Sequence, residues 1–304
     1  MFHRQFIGAV TALLMVTPGL ANAATPESDL AGGSRVTAVQ PPAWLVQGAL
    51  AIPVKPGTRV EDGDNLRTGP GARVYIELPE HSTVKLGENT EFAAPAMDMM
   101  HDEQGTMFKG VLHVLKGVFR FTTSLIGKSE RRRVNIQVGA ATIGIRGTDV
   151  WGRTNEDGSL VALLEGEAEM NMPGRATMMM EQPMHYMMMP AGGEMKMNMP
   201  VTQEKVAEWA AETNVRQGAG VLTIGGHWTV ALASSADPRD TARLMKKLAD
   251  AGYPAEDALA TMGGRERHRL VIRQAATYED ARTLASSIGE QYPSLKPRVL
   301  PLEQ

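Results

Sequence analysis

Arg267, Arg269 and Arg273 are the residues whose types and spacing best suit binding chemistry. Successive side chains of a strand point to opposite faces. If Leu270 and Ile272 are buried, the three arginines share the other face. The same period on 228–233 sends Val230 and Leu232 inward and leaves Thr229 and Ala231 facing out with the arginines. Planar guanidinium groups on one face are donors for carboxylate, acetamido and hydroxyl oxygens. The plainer alternative is a solvated charged surface, the ordinary place for arginine.

A second group of residues is chemically soft. Twelve of the twenty methionines fall within 170–199, and His185 lies among them. Thioether sulfur suits Cu(I), and methionine also takes up oxidant as the sulfoxide. Packing is the competing reading. Met195, Met197 and Met199 alternate with Glu194, Lys196 and Asn198 as a strand face would, and Met fills irregular gaps well. The triplets 178–180 and 187–189 put Met on both faces, which a one-sided core does not need.

Other suggestive residues reduce to local structure. Gly139 to Gly147 is glycine-dense, but no Gly-Lys-Ser/Thr follows, so it is not a phosphate loop. Arg146-Gly147-Thr148 reads as a turn that satisfies its own backbone. Asp62 and Asp64 flank Gly63 without the later oxygen ligands of a calcium loop. His101-Asp102-Glu103 lacks a second ligand one helical turn away. Arg131-Arg132-Arg133 is a short surface charge run. The seven histidines are scattered, and none lies in a nucleophile elbow or zinc-protease motif. With no cysteine, disulfide scaffolds, thiolate metal sites and cysteine nucleophiles are excluded. A net charge of −3 argues against a broadly basic nucleic-acid surface. No catalytic residue, metal site or cofactor is read from these patterns.

The elements that must hold these residues come in distinct textures. Residues 1–23 have the three parts of a signal peptide: His3 and Arg4, an apolar run from Phe6 to Val16, and Ala21-Asn22-Ala23 for cleavage after Ala23. Residues 24–52 are rich in Pro, Ala, Gly and Ser and are expected as a flexible leader. From 53 to 200, short runs of period two such as Val74, Ile76 and Leu78 are separated by turn dipeptides such as Asp62-Gly63 and Pro70-Gly71. This predicts an all-β domain. In 201–227, Thr202 caps a short helix and a Gly-rich linker follows. The last stretch, 228–304, predicts strand, helix (Pro238 to Gly252), two strands, helix (Tyr278 to Tyr292) and strand. Such a βαββαβ order packs its helices on one face of a four-stranded antiparallel sheet and leaves the other free.

Two resemblances follow from the motifs. GDNLRTG at 63–69, RVYIEL at 73–78, LKGVFRF at 115–121, IGIRGTDVWGR at 143–153 and LLEGEAEM at 163–170 resemble the FecR family. The usual Thr-Pro before the RGT stretch is replaced here by Val138-Gly139. The resemblance implies a β-rich, solenoid-like or rolled, non-catalytic envelope domain. Family members are best known as membrane regulators of sigma factors, with a cytoplasmic segment and a membrane helix. Neither is read in this sequence, so that role is not expected to carry over. WTVALASSADPRDTARLMKKLADAGYPAE at 228–256 and HRLVIRQAATYEDARTLASSI at 268–288 resemble the SPOR domain. That resemblance implies binding to peptidoglycan glycan strands stripped of stem peptides, at the division septum. SPOR first strands commonly carry Gln where Ala231 stands, and third strands end in Gly-Pro-Phe where this chain has Arg273-Gln274-Ala275.

The sequence therefore predicts an α+β chain, with an all-β FecR-like domain followed by a SPOR-like domain. It is expected to be a non-enzymatic periplasmic protein that crosses the membrane only during export. Its expected partner is glycan, contacted by Thr229, Arg267, Arg269 and Arg273, with an envelope protein or polymer on the β-domain and no nucleic acid. The alternative is a periplasmic copper- or oxidant-responsive protein built on the 170–199 methionines.

Overall fold

The computed structural model describes residues 33–102, 105–123, 131–145 and 147–302. The expected signal peptide, the first part of the expected leader, Glu103 and Arg146 lie outside the described residues.

Alternation of apolar and polar residues builds the β-rich half. Its first strands are β1 (Ser34–Gln40), β2 (Ala43–Gln47) and β3 (Leu50–Pro53). This corrects the expectation of a flexible leader for 34–52, the part of 24–52 that these strands occupy. Composition hid the pattern: Val36 and Ala38 on β1, and Ala43 and Leu45 on β2, recur at strand spacing and are buried. Next come β4 (Arg59–Val60), β5 (Asn65–Thr68), β6 (Arg73–Glu77), β7 (Thr83–Leu86), β8 (Glu91–Asp102) and β9 (Gly105–Thr122). They are followed by β10 (Arg131–Val138), β11 (Ala141–Ile145), β12 (Asp149–Asn155) and β13 (Gly158–Glu165). The run ends with β14 (Ala168–Asn171), β15 (Met178–Met180), β16 (His185–Pro190) and β17 (Lys196–Pro200).

These strands form two sheets. One runs β3-β2-β5-β8-β9-β10-β11-β14-β15. The other runs β1-β6-β7-β9-β12-β13-β16-β17. β9 belongs to both and turns the corner at Gly117, where φ is +99°. A Cβ there would stand 2.3 Å from Thr90 Oγ1, so only glycine fits. That hydroxyl accepts the backbone N–H of Val118 at 3.0 Å and pins the bend. Leu66, Phe92, Leu112 and Ile143 of the first sheet share one core with Ile76, Phe119, Phe121 and Val161 of the second.

Helix α1 (Gln203–Thr213) follows, with the Thr202 side chain accepting from Lys205 N as its cap. It lays Trp209 against Trp151 with ring centroids 4.5 Å apart and planes 8° from parallel. The Gly-rich stretch after it carries a two-residue strand, β18 (Leu222–Thr223), which pairs with β1.

The C-terminal half is β19 (Trp228–Ser235), α2 (Pro238–Asp250), β20 (Glu256–Met262), β21 (Arg265–Ala275), α3 (Tyr278–Gln291) and β22 (Arg298–Pro301). This is the βαββαβ order read from the sequence. The antiparallel sheet runs β22-β19-β21-β20. Leu248 of α2 and Ala281, Leu284 and Ile288 of α3 cover one face of it, packing with Val230, Leu270 and Ile272. β18 also pairs with β21 through Leu222 and Ala275, so the β-rich half and the C-terminal sheet are hydrogen-bonded to each other. Trp44 Nε1 donates to the Ala249 carbonyl at the end of α2 at 3.0 Å.

Candidate functional site

The face of the C-terminal sheet turned away from α2 and α3 gathers the expected binding residues. On β21, Arg267, Arg269, Val271 and Arg273 alternate with His268, Leu270 and Ile272. The register sets their neighbours. Arg269 lies opposite Ala258 on β20 and Ser234 on β19, Arg267 opposite Ala260, and Val271 opposite Ala231. On the far edge, Ala231 also faces Arg298, and Thr229 faces Leu300. The floor is therefore made of short side chains, with long cationic ones rising from it.

This layout forms two adjoining hollows. Ser234, Met262, Arg269, Lys296 and Arg298 line a cleft of about 500 Å³. Thr229, Ala258, Val271, Arg273 and Leu300 line a narrower one, into which Arg269 also projects. Arg269 alone of the arginines borders both.

The four expected contact residues are not equivalent. Thr229 lies on the outer face, as its period predicts, but is only 7% exposed, because β22 flanks it. Arg273 is exposed, yet its Nε lies 2.7 Å from Glu256 Oε1 in an ion pair. Lys55, from the loop after β3, holds the other Glu256 oxygen at 3.1 Å. The charge of Arg273 is thus locally balanced. Arg267 and Arg269 have no side-chain ion or hydrogen-bond partner among the described residues, and neither has Arg298. His268 points to the helix side, where its Nδ1 meets Asp257 Oδ2 at 2.7 Å.

Two bulges shape this face. The β19–β21 register shifts around Thr229 and again at Leu232, and Gln274 adopts φ +65°. A bulge re-aims side chains and sharpens twist. It lets Leu232 and Ala233 both turn toward the core before Ser234 returns to the outer face.

Sequence reasoning missed Arg298, Lys296 and Lys55. The signal for Arg298 was present: if Val299 goes inward, period two puts Arg298 and Leu300 outward. Nothing local marked Lys55, which reaches Glu256 across 201 residues of chain.

Comparison with known proteins agrees with both motif readings. The family described as FecR protein matches residues 64–169, and the SPOR domain matches residues 225–294. Two crystal structures of a protein from Parabacteroides distasonis, described as a "putative anti-sigma factor", are similar at 14% identity. The first covers 75% of this chain and 92% of its own with a TM-score of 0.39. The second covers 79% and 98% with a TM-score of 0.38. No curated protein matches. FecR and SPOR domains are non-catalytic binding domains, and SPOR domains bind peptidoglycan, which places them outside the cytoplasm in the cell envelope. Among the described residues no helix is long and apolar enough to cross a membrane. The chain joins a FecR domain to a C-terminal SPOR domain.

Proposed function

We propose that this is a non-enzymatic periplasmic protein that holds peptidoglycan glycan strands on the outer face of its C-terminal sheet. In this reading residues 1–23 direct export and are removed after Ala23. Residues 228–304 bind glycan, and the β-domain, expected over 53–200 and begun by β1 at Ser34, offers its surface to an envelope protein or polymer. One observation carries the proposal. Unpaired guanidinium groups of Arg267, Arg269 and Arg298 stand over a floor of Ala231, Val271, Ala258 and Ala260. A shallow trough with donors along its walls suits an extended polymer that presents acetamido and carboxylate oxygens along its length. Arg273 and Thr229 complete one end of it.

The test is co-sedimentation of the mature chain with sacculi, before and after an amidase strips the stem peptides. The whole chain is used because its two halves share strand pairings and core. The protein is expected to pellet with denuded sacculi more than with untreated ones, and Arg269→Ala is expected to remain in the supernatant. Equal recovery of wild type and Arg269→Ala in the pellet would refute the assignment of this face.

A further inference from the structure

The methionine-rich segment is unused by glycan binding, and the fold brings part of it together. β15 is an edge of one sheet of the β-domain, and β16 and β17 end the other. Where these edges meet, Met179, Met180, Met187, Met197 and His185 line one cavity of about 160 Å³. Met179 and Met197 are 45% and 42% exposed, while Met180 and Met187 form the inner wall. Packing alone does not explain thioethers left open to solvent on both sides of a hollow.

His185 is prepared for coordination. Its Nδ1 lies 3.0 Å from the Pro183 carbonyl, which can only accept. The proton therefore sits on Nδ1, and Nε2 is left with a lone pair. An imidazole whose second nitrogen is tied to a backbone carbonyl is the usual form of a metal-ligating histidine. The backbone is also unusual here. Met184 and Asn198 both adopt left-handed φ values, +61° and +53°, and the β16–β17 register shifts at Met187. Non-glycine residues in that region are sparsely populated and gather at functional positions.

We propose that this cavity is a binding site for a soft monovalent cation, Cu(I), held by His185 Nε2 and the thioethers of Met179 and Met197. The ligand set decides the metal. Thioethers and a neutral imidazole favour Cu(I) over harder cations. Among the described residues no group of three His, Cys, Asp or Glu side chains offers a borderline or hard metal an alternative. Glu181 also lines the cavity and supplies a negative charge that suits a cation.

The test titrates the mature chain with Cu(I) under anaerobic conditions against a competing chelator. Ag(I) serves as a redox-inert probe and Zn(II) as the borderline comparison. One equivalent of Cu(I) or Ag(I) is expected to bind, with Zn(II) at least a hundredfold weaker. The double variant Met179→Leu, Met197→Leu keeps the apolar volume and removes the sulfur. It is expected to weaken Ag(I) binding at least tenfold with unchanged thermal unfolding, as is His185→Gln. Met245→Leu in α2 is expected to bind like wild type. In ¹³C-methyl methionine spectra, the signals that shift on adding Ag(I) are expected to be those missing from the double variant. Wild-type affinity in the double variant, comparable Zn(II) binding, or shifts confined to other methionines would each overturn the site.

Discussion

Arg273 Nε and Glu256 Oε1 are 2.7 Å apart on neighbouring strands of the C-terminal sheet, and Lys55 occupies the second carboxylate oxygen at 3.1 Å. An arginine that the sequence places in the binding face is thereby held by an acid from its own sheet, and the β-domain reaches the rim of that face. Partly exposed pairs of this kind contribute little to stability, about 0–1 kcal/mol. Removing the acid should therefore leave the fold intact and release two cations. Glu256→Gln is expected to bind denuded sacculi up to about fivefold more tightly, the factor that 1 kcal/mol represents, with a steeper dependence on salt. Binding assays at two salt concentrations check this. Unchanged or weaker binding would mean that Glu256 is needed on the face as an acceptor.

The arginines should rank by geometry. Arg269 borders both hollows and has no partner, so its replacement removes donors available only to ligand. A hydrogen bond to a charged group contributes about 1.5–3 kcal/mol, so Arg269→Ala is expected to weaken binding at least tenfold. Arg298→Ala should cost less, because Arg298 borders one hollow, and so should Arg267→Ala, because Arg267 stands beside Ala260 and lines neither. Arg273→Ala should cost least, because its charge is already paired with Glu256. Affinities for the four variants on denuded sacculi test the order. Arg273→Ala as the most damaging change would reverse the reading of the face.

Acid should loosen the pairing of β1 with β6. Burial pushes the Glu77 carboxyl up, but hydrogen bonds from His81 and Arg35, with the charge of Arg35, outweigh it and hold the group below its ordinary value of 4.5. Arg35 places Nε and Nη2 on Oε2 at 3.1 and 2.9 Å. The unfolded chain then binds more protons than the native one around and below the ordinary value. The stabilisation is complete above that value and is lost as pH falls through the lower native one. Melting temperatures across pH 3–7 are expected to fall less steeply at the acid end for Glu77→Gln than for wild type. Parallel acid limbs would remove Glu77 from the account.

The legibility of this chain followed period and range. Helices α2 and α3 were readable to within a residue or two, because Asp237 and Thr277 cap them and their apolar residues recur at helical spacing. The outward set on β21 was readable for the same reason, since Leu270 and Ile272 leave Arg269 and Arg273 only one side to face. What failed was either averaged away or non-local. The composition of 24–52 concealed the alternation of Val36 with Ala38 and of Ala43 with Leu45. Thr229 faces as its period says, yet its exposure depends on β22, some seventy residues later. The partner of Arg273 was equally hidden, because Glu256 reaches it only through the β20–β21 register. The glycines of 217–226 read as looseness, yet Gly218 and Gly220 supply N–H groups to a buried carboxylate.

That carboxylate, Asp280, ties the two halves of the chain together. It is fully buried at the start of α3. Its Oδ1 accepts backbone N–H groups from Gly218, Gly220 and Val221 at 2.8, 3.1 and 2.9 Å, and its Oδ2 accepts the Thr277 hydroxyl at 2.6 Å. The three amides lead directly into β18, which pairs with β1 on one side and β21 on the other. Asp280→Ala strands three donors beside an apolar core, each costing about 1–3 kcal/mol when unsatisfied. A total loss of roughly 3 kcal/mol or more is expected, after water relieves some of them. Asp280→Asn keeps one acceptor and should lose less. Because the segment it holds is shared, the wild type is expected to unfold in one transition, and Asp280→Ala to separate it into two. Tryptophan fluorescence reports the β-domain through Trp151 and Trp209 and the C-terminal sheet through Trp228, so single-tryptophan versions resolve the halves. Coincident transitions in Asp280→Ala, at wild-type stability, would show that the strand pairing, the shared core and the Trp44 contact couple the two halves without Asp280.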